Sequence, residues 1–245
     1  MTRLTRQGAA DYWQERHRTS DPWRAGGDRG WDERTNEVLY YVRLGLLLRM
    51  LTNHFGRVSG LRILDAGCGR GWLTGQLRAI GYDAVGVDQS GEAIRLAKEA
   101  HSAPFFVAPL EGFACDGRFD AVVAMEVFFH IMDDDQWRQT LRNLARLLDD
   151  EGVLIFSAWM GSETVELGDY IVHRSRAQHE RLLAELSLRI AVSEPYKLLN
   201  CPTSWHLCTR YGCDVSSQRA AAAGKPPSAC QAAIGHLRRL VRRRR

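Results

Sequence analysis

Residues 61–79 read LRILDAGCGRGWLTGQLRA, and the fold is decided there. Leu61, Ile63 and Leu64 make the short apolar run of a central parallel strand. Leu73, Leu77 and Ile80 then recur at i, i+4 and i+7, the spacing of one helix face. Gly67, Gly69 and Gly71 stand between the two. Glycine permits a sharp turn and lets backbone lie against a ligand where a Cβ would clash, and the following helix offers free N–H groups. A second strand, Ala84-Val85-Gly86-Val87, ends in Asp88, whose carboxylate can accept hydrogen bonds from both hydroxyls of a ribose. Strand, glycine turn, helix, strand and acid together follow the logic of a nucleotide-type cofactor pocket, and to this point they leave the cofactor open.

Glycine spacing narrows the choice. A dinucleotide fingerprint places its third glycine at position 72, where helix and strand pack closely, and Trp72 stands there instead. Asp65-Ala66-Gly67-Cys68-Gly69-Arg70-Gly71 resembles the acid-then-GxGxG motif of class I S-adenosylmethionine-dependent methyltransferases. The likeness continues in order. Val85-Gly86-Val87-Asp88 resembles the ribose-binding strand end, residues 119–130 (FDAVVAMEVFFH) the fourth-strand motif, and residues 144–159 the family's helix, turn and fifth strand. It covers about residues 55–160.

The resemblance implies S-adenosyl-L-methionine as cofactor and S-adenosyl-L-homocysteine as product. It implies that Gly67, Cys68, Gly69 and Gly71 wrap the amino-acid end, that Asp65 lies near its ammonium, and that Asp88, with Gln89 beside it, holds the ribose. Leu110 and Glu111 then flank the adenine, although residues 108–111 lack the Asp often found at the start of that stretch. Ala124, Met125 and Glu126 border the methionine portion. Tyr12, Trp13 and Arg16 resemble an N-terminal element that closes over the cofactor in some relatives; an aromatic helix face packed on the sheet is the other reading.

Outward from this centre, periodicity predicts helices over residues 9–18, 33–55, 91–101, 134–148 and 176–187. On the helix 33–55 it puts Val38, Tyr41, Val42, Gly45 and Leu46 on one apolar face. Strands are predicted over 105–108, 119–125, 153–159, 190–196 and 205–211, with a loop at 19–32 and a turn at 149–152. The alternation predicts an α/β, doubly wound, mostly parallel sheet of seven (or six) strands with helices on both faces and ligands at the strands' carboxyl ends. The expected organisation is an N-terminal helical cap or lid (1–55), a Rossmann-like core (56–211) with a substrate-side insertion (161–176), and an Ala/Pro linker with a basic tail (212–245). Enzymes of the family usually finish with an apolar antiparallel strand, and the tail past Cys208 offers no convincing one, so the sheet's last edge is left open.

Composition agrees with one globular domain: 245 residues, 45% hydrophobic and 25% charged, can bury a substantial core. No apolar run approaches the ~18 residues of a membrane span, and the first residues lack a signal peptide's hydrophobic region, so a cytoplasmic protein without a membrane partner is expected. The six cysteines show no disulfide framework, which makes reduced thiols the default. Cys201, His206, Cys208 and Cys213 raise zinc, but the spacing lacks a matching second pair and no metal is expected. Charge is uneven. From Cys208 onward nine Arg and Lys face one Asp, so the tail carries +8 and the body −4, a poor electrostatic match for nucleic acid.

The sharpest catalytic candidate is His130, just beyond the fourth strand, where a neutral imidazole suits a general base near pH 7; bracing of the loop is the competing role. His173 and Arg174 in the insertion are second candidates, for binding an acidic or hydroxylated substrate. After the fourth strand there is neither the Asn/Asp-Pro-Pro-aromatic run of exocyclic-amine nucleic-acid methylases nor a Pro-Cys pair. A small-molecule, biosynthetic acceptor methylated at oxygen or nitrogen is therefore expected. Its alternatives are an RNA or protein methylase docking through the basic tail, and a partner protein that binds the cofactor without transfer. Oligomeric state is open, a homodimer included.

Overall fold

The computed structural model describes residues 3–198 and 201–212; the expected linker and basic tail, from residue 213 onward, lie outside the described residues. Three helices lead: α1 (Arg6–Thr19), α2 (Pro22–Ala25) and α3 (Glu33–Phe55). Alternating strands and helices follow: β1 (Arg62–Ala66), α4 (Trp72–Ile80), β2 (Asp83–Asp88), α5 (Gly91–Ala100), β3 (Phe105–Val107), β4 (Phe119–Ala124), α6 (Asp134–Arg146) and β5 (Leu148–Ala158). A two-stranded ribbon, β6 (Val165–Leu167) and β7 (Ile171–His173), precedes α7 (Arg176–Glu185), β8 (Leu188–Pro195) and β9 (Ser204–Arg210).

The sheet order is β3-β2-β1-β4-β5-β9-β8. β1 to β5 pair in parallel, and β9 runs antiparallel to both its neighbours. Strand residues alternate between two cores, as the period of two requires. Leu64, Val122, Leu154 and Phe156 pack with Trp137, Leu141 and Leu144 of α6 and Leu182 of α7. Their neighbours Ile63, Val123 and Ile155 pack on the opposite face with Leu47 and Leu51 of α3 and Leu73 and Leu77 of α4. Helix ends obey local rules. Asp32 caps α3 by accepting from the Thr35 N–H at 2.7 Å, and Gly56 ends it in the left-handed conformation.

Four expectations need correction. The predicted face of α3 is rotated: Val38 and Tyr41 are exposed, while Leu39, Tyr40, Arg43, Leu44 and Leu47 are buried. Polar and apolar residues are spread over both faces of the helix, and Asn36, Glu37, Arg43 and His54 are among the buried ones, so spacing alone does not choose its inner stripe. The expected turn at 149–152 lies within β5, where pairing jumps from Phe119↔Leu148 to Ala121↔Val153 and the extra residues bulge outward. The loop at 19–32 contains α2, started by Asp21, whose carboxylate accepts from the N–H groups of Trp23 and Arg24. The antiparallel strand missing from the tail is Ser204–Arg210 itself. With Trp205, Leu207 and Cys208 buried it lies inside the sheet, and β8 is the edge. The strand order reverses between β1 and β4, so the carboxyl ends of these strands open into the crevice where such sheets bind ligands.

Candidate active site

A cavity of about 470 Å³ opens at that crevice. Its floor is built by the chain leaving each parallel strand: Gly67, Cys68 and Gly69 after β1, Asp88 and Gln89 after β2, Leu110 and Glu111 after β3, Met125 and Glu126 after β4. The turn is open because its side chains are missing. A Cβ on Gly67 would lie 2.5 Å from Val127 Cγ2, and Gly67, Gly69 and Gly71 have φ of 76°, 52° and 74°, a region that favours glycine. Asp88 is fixed from both sides: Oδ2 accepts from the Gly69 N–H at 2.9 Å and Oδ1 from the Ser90 N–H at 2.8 Å.

Helix α1 covers this floor. It contributes Trp13 and His17, and α2 and α3 add Trp23 and Tyr40. The cover is fastened on three sides. Gln14 Oε1 accepts from the Ser90 hydroxyl at 2.9 Å and the Glu92 N–H at 3.1 Å. Arg70 in the glycine turn donates to the carbonyls of His17 and Ser20. On the far side Tyr12 stacks on Tyr170 at 5.3 Å, and Arg3 pairs with Glu166 at 2.5 Å. Trp72, which breaks the dinucleotide spacing, is the centre of an aromatic wall with Trp23 at 5.6 Å and Tyr40 at 5.2 Å.

His130 faces the cavity, packed edge-on against Trp13 at 4.7 Å. Its Nδ1 lies 3.0 Å from the Tyr170 carbonyl. A carbonyl only accepts, so Nδ1 carries the proton and Nε2 is the ring's acceptor atom. Burial pushes its conjugate acid down to about 3, against a smaller opposing effect of the Tyr170 bond. The imidazole is neutral throughout the physiological range.

Of the other expected site residues, several do not line the cavity. Asp65 is buried and its Oδ2 accepts from the Thr74 hydroxyl at 2.6 Å; burial, opposed by that bond, raises its carboxyl to about 7. Gly71 starts α4, and Ala124 is fully buried at the end of β4. Arg16 turns to the carbonyls of Arg24 at 2.8 Å and Gly27 at 2.5 Å, which binds α1 to α2. His173 lies in a separate small recess beside Phe129 and Trp159, and burial lowers its basicity. Arg174 is no substrate-facing charge: it is 2% exposed, pairs with Asp134 at 2.7 Å and lies over the Trp137 ring at 4.6 Å. It ties the insertion to the start of α6.

Glu126 reaches the cavity, yet its carboxylate is occupied. Oε2 pairs with Arg43 at 2.8 Å and Oε1 accepts from the Tyr196 hydroxyl at 2.9 Å. Its φ of 59° is unusual for a residue with a Cβ, and the Glu126 N–H donates to Ser157 Oγ at 2.6 Å to hold it. Sequence reasoning missed Arg43 and His17. Arg43 carried a signal, a charge among the leucines of α3; His17 carried one too, four residues beyond Trp13 on the same helix face. The zinc candidates do not converge: His206 Nδ1 is 2.9 Å from Ser193 Oγ, Nε2 donates to the Ala158 carbonyl, and Cys213 lies outside the described residues.

Residues 63–152 match the family model for a methyltransferase domain. Over that segment the chain is similar to a methyltransferase domain. The ubiquinone biosynthesis O-methyltransferase of Azorhizobium caulinodans is 36% identical over 129 residues, covering 47% of this chain and 50% of that protein. The chain thus spans about half the length of the curated relatives it matches. The fold extends further than the sequence likeness. Magnesium protoporphyrin IX methyltransferase from Synechocystis, solved with S-adenosylhomocysteine, superposes with a TM-score of 0.67 at 19% identity, over 84% of this chain and all of that one. The 1,6-didemethyltoxoflavin N1-methyltransferase of Burkholderia thailandensis superposes with 0.60 at 18% identity, over 82% of this chain and 86% of that one. The matched segment runs from β1 into β5 and supplies the cavity floor; the cover lies outside it.

Proposed function

We propose that this protein transfers the methyl group of S-adenosylmethionine to an oxygen of a small, neutral, hydroxylated acceptor held against His130. The observation that carries this reading is the juxtaposition, within one covered cavity, of bare backbone at 67–69, the doubly anchored Asp88 and the neutral ring of His130. The residues fit the cofactor. Gly67 and Gly69 let the turn run close where a Cβ would meet Val127 or His17, Asp88 would take the ribose, and Leu110 and Glu111 would flank the base. When bound, the cofactor supplies a methyl group already activated by its sulfonium.

The chain's own part is to align, to exclude water and to let a proton leave. Trp13, Trp23, Tyr40 and Trp72 offer apolar faces, and Glu126, the carboxylate at the end of β4, is ion-paired with Arg43. An uncharged acceptor suits such a wall better than an ion. His130 Nε2 would accept the acceptor's O–H hydrogen bond and so orient the oxygen toward the methyl carbon; as O–C would form and the sulfonium C–S bond break to a neutral thioether, the proton would be released past the ring rather than stored on it. An imidazolium held near 3 cannot keep that proton, which passes to solvent.

Residues 1–55 then act as the cap, 56–211 as the catalytic core, and 161–176 as the wall that holds Tyr170 against His130. The cover favours a small acceptor over nucleic acid or a protein surface, since α1 lies between the cavity and solvent. No helix among the described residues is long and apolar enough to cross a membrane, and a cytoplasmic enzyme is the reading adopted. Mass spectrometry of nucleosides copurifying with the protein, followed by an acceptor screen with methyl-labelled cofactor, tests the proposal. Labelling of phenolic or other hydroxylated small molecules supports it; label found only on RNA or protein overturns it.

A further inference from the structure

His17 belongs to no motif, and the cavity makes sparing use of it. It is 4% exposed, lines the cavity from above, and its Nδ1 has no hydrogen-bond partner among the described residues. That nitrogen is sealed within the protein, so the edge of the ring that can meet a ligand is Nε2–Cε1, which faces the glycine turn. Its ring edge lies on the glycine turn: the Cβ of any residue replacing Gly69 would lie 3.2 Å from His17 Cε1. Gly69 is also the residue whose N–H donates to Asp88. Four charged groups act on the ring, Asp88 and Glu92 favouring its protonation and Arg70 and Arg16 opposing it, and burial outweighs them to keep it neutral. A neutral imidazole has one donor and one acceptor, which matches a hydroxyl.

We propose that His17 is the lid's own contact to the cofactor, hydrogen-bonded to a ribose hydroxyl opposite Asp88, and that this bond makes closure of α1 depend on a bound nucleoside. The inference rests on the cofactor reading above. A second observation supports it independently. Gln14, one turn away on the same helix face, is latched to Ser90 and Glu92, and Ser90 in turn donates its N–H to Asp88. The acid that would grip the sugar and the latch that holds the lid are therefore parts of one short loop. Tyr12 and Arg16, which the sequence offered as cofactor contacts, are occupied with Tyr170 and with backbone carbonyls.

The test is calorimetric titration with S-adenosylhomocysteine and with 5′-methylthioadenosine, which keeps the ribose and lacks the amino-acid end. It is paired with hydrogen exchange of residues 6–19 on the full chain. For His17→Ala both ligands are expected to bind about tenfold more weakly, the loss of one hydrogen bond, and ligand-induced protection of 6–19 to disappear. His17→Gln, which keeps donor and acceptor, is expected to stay within about threefold of wild type. It also serves as the informative variant if the alanine form folds poorly. Equal affinity and equal protection in a folded His17→Ala protein overturn the proposal and leave the cofactor reading standing. Weakening of S-adenosylhomocysteine alone overturns the ribose assignment. Failure of the wild type to bind either nucleoside overturns both.

Discussion

The floor and the cover of the cavity are built on opposite plans. The floor is backbone: glycines without side chains, N–H groups, and one aspartate held by two of those N–H groups. The cover is side chain: Trp13, His17 and Gln14 of α1, with Arg43 of α3 gripping Glu126 from below. A backbone cradle suits a constant ligand, because it changes little when surface residues do. A cover of aromatic and polar side chains suits a variable one, since each residue can be exchanged without disturbing a strand. The match to the methyltransferase family model follows the same division, stopping at residues 63–152 and leaving the cover out.

The largest expected effect breaks the join between the two halves. Arg43 is 3% exposed and ion-paired to Glu126, so Arg43→Ala leaves a half-buried carboxylate without its cation, with only the Tyr196 hydroxyl beside it. Such a loss costs about 3–5 kcal/mol of folding stability, readable by denaturant unfolding. A double replacement, Arg43→Met with Glu126→Leu, is expected to recover much of it, because the pair's value lies in leaving neither charge alone. If the single and double variants are equally unstable, the pair does not organise this wall.

Next comes the floor. Asp88→Ala is expected to weaken S-adenosylhomocysteine binding by about 1–3 kcal/mol, the scale of lost hydrogen bonds to a charged group. Unchanged affinity in a folded protein would remove Asp88 from the site.

Acidity separates the halves in another way. Burial holds His130 at about 3 and His179 and His206 at about 4, below the ~6.5 of an unfolded chain. The unfolded state therefore takes up protons first, so stability is complete above about pH 6.5 and falls as pH drops toward 4. Asp65 runs the other way. Its carboxyl, raised to about 7, favours the folded state at low pH, and that contribution is lost as pH rises from the unfolded value near 3.8 through 7. Asp65→Asn is accordingly expected to stabilise the protein at pH 8 and to be neutral at pH 4, measured by urea unfolding at the two values. Stabilisation of equal size at both would contradict the burial argument.

The smallest effect sharpens the comparison. Gln14→Ala removes the acceptor of two hydrogen bonds between lid and floor, and faster hydrogen exchange at 6–19 is expected with little change in global unfolding. No change in exchange would mean that Tyr12 stacking and the Arg3–Glu166 pair hold α1 without it.

The floor was legible in the sequence because its information is local. Strand, turn, helix and acid lie within residues 61–88, and each glycine is explained by its own φ or by a single close neighbour. The cover was not, because its contacts join residues far apart in the chain: Gln14 with Ser90, Arg43 with Glu126, His130 with the carbonyl of Tyr170. Local pattern also failed where polar residues share the buried face, as on α3, whose inner face was placed on Val38 and Tyr41 rather than on Tyr40 and Arg43. At 204–210 it found the strand but not its place or direction, because residues buried within the sheet give no sign of either.

The central claim is that the glycine turn and Asp88 receive an adenosyl sulfur compound beneath α1. Calorimetric titration of the folded wild-type chain with S-adenosylhomocysteine, with a nicotinamide dinucleotide as rival, addresses it directly. Saturable binding of one S-adenosylhomocysteine per chain, undiminished by the rival, is predicted. No heat with S-adenosylhomocysteine, or its displacement by the dinucleotide, would contradict the assignment of the site.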